Sequence, residues 1–192
     1  MRAVGHEPIV LQAKEGLALL NGTQLSLALA LEGLFQAERL LDASIVAGAL
    51  TVEGLPGSHA PFDARIQDAS RLSGQAIVAT RLRSLLTDSE IRRSHADCER
   101  VQDPYAVRCM PQVFGAVEHT LEHARQVLGA AVNGVSDNPL IFGDDILSGG
   151  NFHAEPVGFV SDFLAIAVAE LASISERRID LLDRRVNPNL NM

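Results

Sequence analysis

The chain has 192 residues, 47% hydrophobic and 21% charged, with 24 acids against 16 bases and a net charge of −8. That balance excludes a disordered tail and offers no basic face to a nucleic acid. Fifteen of the sixteen bases are Arg and Lys14 is the remaining one, so anionic lipid meets no polybasic run, while two cysteines, Cys98 and Cys109, make no disulfide framework.

Residues Met1 to Pro8 carry no apolar core of the secretory kind, which with the unpaired cysteines reads as a cytoplasmic protein. A helical pattern from Ile9 to Leu20 runs into Asn21-Gly22-Thr23, a stop followed by a fresh N-cap at Thr23. From Gln24 to about Leu50 the spacing predicts a long helix. Its polar residues Glu32, Gln36 and Arg39 form one narrow stripe on an apolar cylinder, as in a helix central to a bundle. A membrane span needs about 20 uninterrupted apolar residues, and Glu32, Gln36, Glu38 and Arg39 interrupt this one. The run from Gly54 to Pro61 is a break.

Two shorter helices are expected next, Ala64 to Ser70 and Leu72 to Leu86, and then an exposed, charged excursion from Asp88 to Asp103. A third long helix is predicted from about Ala106 to Val132. Phe114, Val117, Leu121, Ala124, Leu128 and Ala131 recur along it at alternating spacings of three and four, a packing seam. Leu140-Ile141-Phe142 and Ile146-Leu147-Ser148 flank Gly143-Asp144-Asp145 as a small hairpin. The last helix is expected from about Pro156 to Asp183, and its apolar core, Phe163 to Ala172, contains Glu170 and is too short to span a bilayer. The fold class is therefore all-α: long antiparallel helices in a bundle, with one hairpin-bearing loop between residues 139 and 150. So much apolar helix with few companions predicts a homo-oligomer, a larger chain around this one, or both.

Several side-chain sets invite chemistry. His119-Thr120-Leu121-Glu122-His123 matches the H-x-x-E-H pattern of inverted zinc proteases, but nothing nominates a third ligand, and the same residues form the helix face opposite the seam. The reading is no metal and a solvated or subunit-facing surface, on which Arg125 should tolerate Lys. Cys98 with His95 and Asp97 reads as a polar loop, because partners adjacent in sequence rarely converge as a triad. More informative is Gln102-Asp103-Pro104-Tyr105-Ala106-Val107-Arg108. Tyr105 and Arg108, three apart at a helix start, share one face; a phenol beside a guanidinium there suits a carboxylate. The alternative is a tyrosine that simply packs on an arginine stem.

Four blocks together resemble one family. Glu15-Gly16-Leu17-Ala18-Leu19-Leu20-Asn21-Gly22-Thr23-Gln24, the run from Val101 to Cys109, Ser136-Asp137-Asn138-Pro139-Leu140, and the run from Gly149 to Pro156 are similar, in order and spacing, to the signature blocks of the aromatic amino acid ammonia-lyases. His153-Ala154-Glu155-Pro156, with Ser175-Glu176-Arg177-Arg178-Ile179 after it, most resembles the histidine-specific branch. The resemblance implies elimination of ammonia from an L-amino acid, L-histidine giving urocanate, by means of a 4-methylidene-imidazol-5-one electrophile that cyclises from Ala-Ser-Gly. These 192 residues contain no Ala-Ser-Gly. On that resemblance, residues 1–192 are the central helical portion of a longer subunit, without the region bearing the electrophile and without a C-terminal region.

The resemblance also implies roles, residue by residue. Asn21 corresponds to the Asn bonded to the electrophile's oxygen, and Tyr105 to a Tyr that contacts substrate and assists proton movement. Arg108 corresponds to the Arg that grips the substrate carboxylate, with Asn138 lining the same region. Gln102 and Phe152 correspond to residues against the electrophile. In the family such blocks come from different subunits of a homotetramer. Tyrosine or phenylalanine ammonia-lyases, aminomutases, and a non-catalytic helical oligomerisation domain remain alternatives.

Overall fold

The computed structural model describes residue 5 and residues 7–94 and 101–186. The set Cys98, His95 and Asp97 lies outside the described residues. The elements in chain order are α1 (Glu15–Asn21), α2 (Gln24–Gly54), a 3-10 turn (Ala60–Phe62), α3 (Ala64–Ser70), α4 (Ser73–Leu85), α5 (Glu90–Ser94), α6 (Tyr105–Arg108), α7 (Met110–Val132), β1 (Leu140–Phe142), β2 (Asp145–Leu147) and α8 (Glu155–Val186). The fold is an all-α bundle carrying one hairpin.

Three long helices share one sequence rhythm. Leu27, Ala30, Leu34, Ala37, Leu41 and Ile45 are buried on α2, Met110, Phe114, Val117, Leu121, Ala124 and Leu128 on α7, and Val157, Val160, Leu164, Ala167, Leu171 and Ile174 on α8. Spacings of three and four keep one stripe facing its partners, so side chains interlock along nearly parallel axes. Cross-helix contacts set the directions. Glu38 meets Arg125 and Gly48 meets Met110, which makes α2 and α7 antiparallel. His123 meets Phe163 and Met110 meets Arg178, which makes α7 and α8 antiparallel as well.

α4 and α7 meet backbone to backbone at Gly74 and Gly115. A Cβ on Gly115 would lie 2.5 Å from the Gln75 nitrogen and 2.6 Å from its Cα, and a Cβ on Gly74 would strike the Gly115 carbonyl. These neighbours are backbone and cannot swing aside. Gly115→Ala should therefore cost about 1–3 kcal/mol through forced separation of the helices. Thermal denaturation reads the loss, and an unchanged melting temperature would contradict this packing.

Several expectations need correction. Residues 9–14 form no helix: Lys14 has φ 69°, a left-handed conformation that an α-helix excludes, and α1 begins after it. The expected third helix is two, because Pro111 in the first turn of α7 has no N–H to extend a ladder backwards; Cys109 separates α6 from α7. The turn of the hairpin is Gly143-Asp144 alone, with φ 62° at Gly143, and Phe142 pairs with Asp145. Asp103, taken as the end of an exposed excursion, is buried.

α8 also differs from its reading as too short to span. By length and composition Glu155–Arg184 could cross a membrane, yet its apolar stripe is spent against α2 and α7. Leu25, Leu29, Leu40 and Leu50 on α2, and Phe159, Ile166 and Ile179 on α8, stay exposed.

Candidate active site

The bundle separates the candidate residues into two groups. Gln102, Tyr105 and Arg108 lie at the end where α2 finishes and α7 begins. Pro104 precedes α6 with φ −58°, and its carbonyl accepts the N–H groups of Val107 and Arg108, both at 3.0 Å. The Arg108 guanidinium carbon lies 4.7 Å from the centre of the Tyr105 ring, a cation–π contact. The Arg108 Nε is the one buried side-chain nitrogen or oxygen without a hydrogen-bond partner among the described residues. A buried donor left unpaired costs about 1–3 kcal/mol unless an acceptor from outside the described residues meets it. Tyr105, 72% exposed, stands over it.

Two further groups brace this end. The Asp103 carboxylate accepts the Ser58 N–H at 2.6 Å. Arg178, almost fully buried, donates to the Met110 sulfur at 3.2 Å and to Ser175 Oγ at 2.9 Å and lies over Phe114; burial holds its pKa below the ordinary value. Next to Gln102 and Asp103 opens a polar cavity of about 960 Å³ with His59, Arg83 and Arg92 on its wall. Burial first, and Arg92 second, lower the His59 pKa against the raising influence of Glu53. Neither Tyr105 nor Arg108 lines that cavity.

Asn21, Asn138 and Phe152 lie at the opposite end. Lys14 Nζ reaches Asp137 at 2.7 Å and the Pro139 carbonyl at 2.6 Å, and Gln24 donates to Ser136 Oγ at 3.4 Å. These contacts tie the Asn-Gly-Thr block to the Ser-Asp-Asn-Pro loop, and the Lys14 hydrogen bond lowers the Asp137 pKa. Asn138 Oδ1 accepts the Gly149 N–H at 2.7 Å and the Ser148 hydroxyl at 3.2 Å, which anchors the loop leading to Phe152. Phe152 is 42% exposed. At 1.5 Å per helical residue, the 31 residues of α2 put the two groups roughly 45 Å apart. One copy of the chain does not bring Asn21 to Tyr105.

The H-x-x-E-H residues are engaged elsewhere. His119 Nε2 accepts the Gly74 N–H at 2.9 Å and lies 3.0 Å from Ser73 Oγ, Glu122 accepts from Arg125 and Gln126, and the His123 ring packs near Phe163. Arg125 corrects its own expectation as a free surface residue. It reaches Glu38 on α2 at 2.6 Å, Glu122 at 3.0 Å and Glu118 at 3.3 Å, and these carboxylates raise its pKa although burial opposes them. Its sequence signal was the acid at each of positions 118 and 122; the partner on α2 came only with the fold.

In sequence the chain belongs to the aromatic amino acid lyase family, whose model matches residues 1–192. It is 57% identical over 184 residues to the histidine ammonia-lyase of Paracidovorax citrulli (strain AAC00-1), covering 95% of this chain and 36% of that protein. It is 55% identical over 185 residues to the histidine ammonia-lyase of Salmonella paratyphi B (strain ATCC BAA-1250 / SPB7), covering 95% and 37%. Among solved structures, the histidine ammonia-lyase from Trypanosoma cruzi superposes with a TM-score of 0.81 at 41% identity, over 93% of this chain and 33% of that one. The tyrosine aminomutase from Streptomyces globisporus does so with 0.84 at 35%, over 96% and 39%. The chain thus spans little more than a third of the length of these relatives.

Proposed function

We propose that residues 1–192 are the central helical portion of a histidine ammonia-lyase subunit, a cytoplasmic enzyme that eliminates ammonia from L-histidine to give urocanate. The observation that carries this reading is Arg108, whose Nε is buried and unpaired beneath Tyr105, in a chain 57% identical to a histidine ammonia-lyase. An amino acid brings the missing acceptor: its carboxylate takes two parallel N–H bonds from a guanidinium fork. Tyr105, stacked on the same guanidinium, borders the bound carboxylate and stands where a proton of the substrate is moved.

The family's 4-methylidene-imidazol-5-one supplies the electrophile that activates the substrate for loss of its amine. The residues here suit its surroundings. Asn21 and Gln102 are exposed carboxamides, and Phe152 presents an exposed ring. Asn21 would donate to the group's oxygen, Gln102 would line it, and Phe152 would shield one side from water, while Asn138 shapes the loop that carries Phe152. Since these residues lie at both ends of the bundle, a complete site needs more than one copy. The exposed leucines of α2 and the exposed Phe159, Ile166 and Ile179 of α8 are the faces that would meet in a homotetramer.

The test is the coding sequence around this segment and its product. An in-frame Ala-Ser-Gly upstream, with urocanate absorbance growing from L-histidine and the purified whole protein, is the expected result. Activity on tyrosine or phenylalanine instead would favour the aminomutase-like neighbours. The 192-residue chain by itself, which holds no Ala-Ser-Gly, is expected to form no urocanate, because positioning without covalent activation leaves a poor leaving group in place. Urocanate from this chain alone would overturn that expectation.

A further inference from the structure

We propose that Asp103 is a positioning residue, whose buried carboxylate clamps the segment bearing Gln102, Tyr105 and Arg108 to the turn that follows α2. The inference rests on the reading of Tyr105 and Arg108 as substrate-facing groups. Gln102 and Tyr105 are exposed. The groups beside them that are fixed are Val107, 1% exposed, and Asp103, 5% exposed.

The far side of the clamp is rigid. The Gly57 N–H donates to the Val52 carbonyl at 2.7 Å, which ties the turn to α2 immediately before Ser58. A Cβ on Gly57 would sit 3.2 Å from Val52 Cγ1 and 3.5 Å from Asp103 Oδ2, so the turn packs closely on the helix and lies in contact range of the carboxylate. Ser89 donates to Glu53 at 2.8 Å, and His59 Nε2 lies 3.6 Å from the same carboxylate, bracing that turn from a second direction.

On the near side only Pro104 separates Asp103 from Tyr105. Its ring fixes φ, and its carbonyl closes the turn that contains Arg108. A shift at the Asp103 carboxylate therefore passes to the phenol and the guanidinium almost undiminished. A misplacement of about 1 Å at reacting groups can cost on the order of a hundredfold in rate.

The experiment uses the whole enzyme with Asp103→Asn and Asp103→Glu. Asparagine keeps an acceptor at the same reach, whereas glutamate keeps the charge but adds a methylene, about 1.5 Å of extra length. Asp103→Asn should stay within about threefold of wild type, and Asp103→Glu should raise KM for histidine and lower kcat/KM at least tenfold. Hydrogen exchange followed by mass spectrometry should quicken in peptides covering 101–109 in the Glu variant and stay unchanged in α4. Wild-type kinetics for Asp103→Glu, or losses that follow melting temperature with KM unchanged, would overturn the proposal. If the whole protein makes no urocanate, the lyase reading falls separately. Exchange at 101–109 then decides the clamp: faster in Glu but not in Asn supports it, and unchanged exchange refutes it.

Discussion

Arg108→Lys in the whole enzyme should cut kcat/KM for L-histidine at least tenfold. Lysine keeps the positive charge but replaces a planar fork with a single point donor, so one of two parallel bonds to the carboxylate is lost. A charge-assisted hydrogen bond is worth about 1.5–3 kcal/mol, and about 1.4 kcal/mol already corresponds to tenfold. The stacking of the guanidinium on Tyr105 at 4.7 Å goes as well, so the phenol loses its neighbour together with the substrate. Arg125 is no control for this experiment, because it ties α7 to α2 through Glu38 and is held by Glu118 and Glu122 of its own helix. Arg39 serves instead: it is exposed, 3.7 Å from Glu32, and lies in the middle of α2, away from Arg108. Steady-state kinetics of Arg108→Lys and Arg39→Lys decide the matter. Equal, near-wild-type values would remove Arg108 from the site.

The second large effect concerns assembly. Asn21→Ala and Tyr105→Phe should each abolish most activity, yet subunits of the two variants, unfolded together and refolded as a mixture, should recover a measurable part of it. The reason is the roughly 45 Å that the bundle places between these residues in one copy, about the length of α2. A site assembled from different copies draws Asn21 from one and Tyr105 from another, so some sites in the mixture receive two intact residues. Light scattering on the same samples should give an oligomer, with a tetramer as the expected mass. A mixture no more active than its parents, or an active monomer, would contradict the shared site.

Much of the fold was legible because it rests on local rules. The helix over 64–70, the seam of α7 and the presence of a hairpin between 139 and 150 follow from spacing and turn chemistry, whereas its two-residue turn, which pairs Leu140 with Leu147, does not. The errors arose where one residue's backbone outweighed a pattern. Lys14 at φ 69° interrupts the helical pattern that runs from Ile9 to Leu20, and Pro111 divides the pattern that runs from Ala106 to Val132.

The candidate site was legible as a set of residue types but not as a place. Tyr105 and Arg108 are neighbours in sequence, so their contact could be anticipated. The distance from Asn21 to Tyr105 depends on helix lengths and directions that no local spacing reports. Asp103 was hidden for a related reason: its partner, the Ser58 N–H, lies 45 residues away in a turn whose sequence signals only a break. Arg125 likewise advertised its two acids on α7 but not Glu38.

The division of the site residues between the ends of the bundle also bears on how such an enzyme would behave on dilution. If catalytic centres exist only where copies meet, the rate depends on protein concentration more steeply than in direct proportion near the dissociation point of the assembly. Newly made chains would then be silent until enough of them accumulate, and specific activity would show a lag on dilution from concentrated stock as the subunits part.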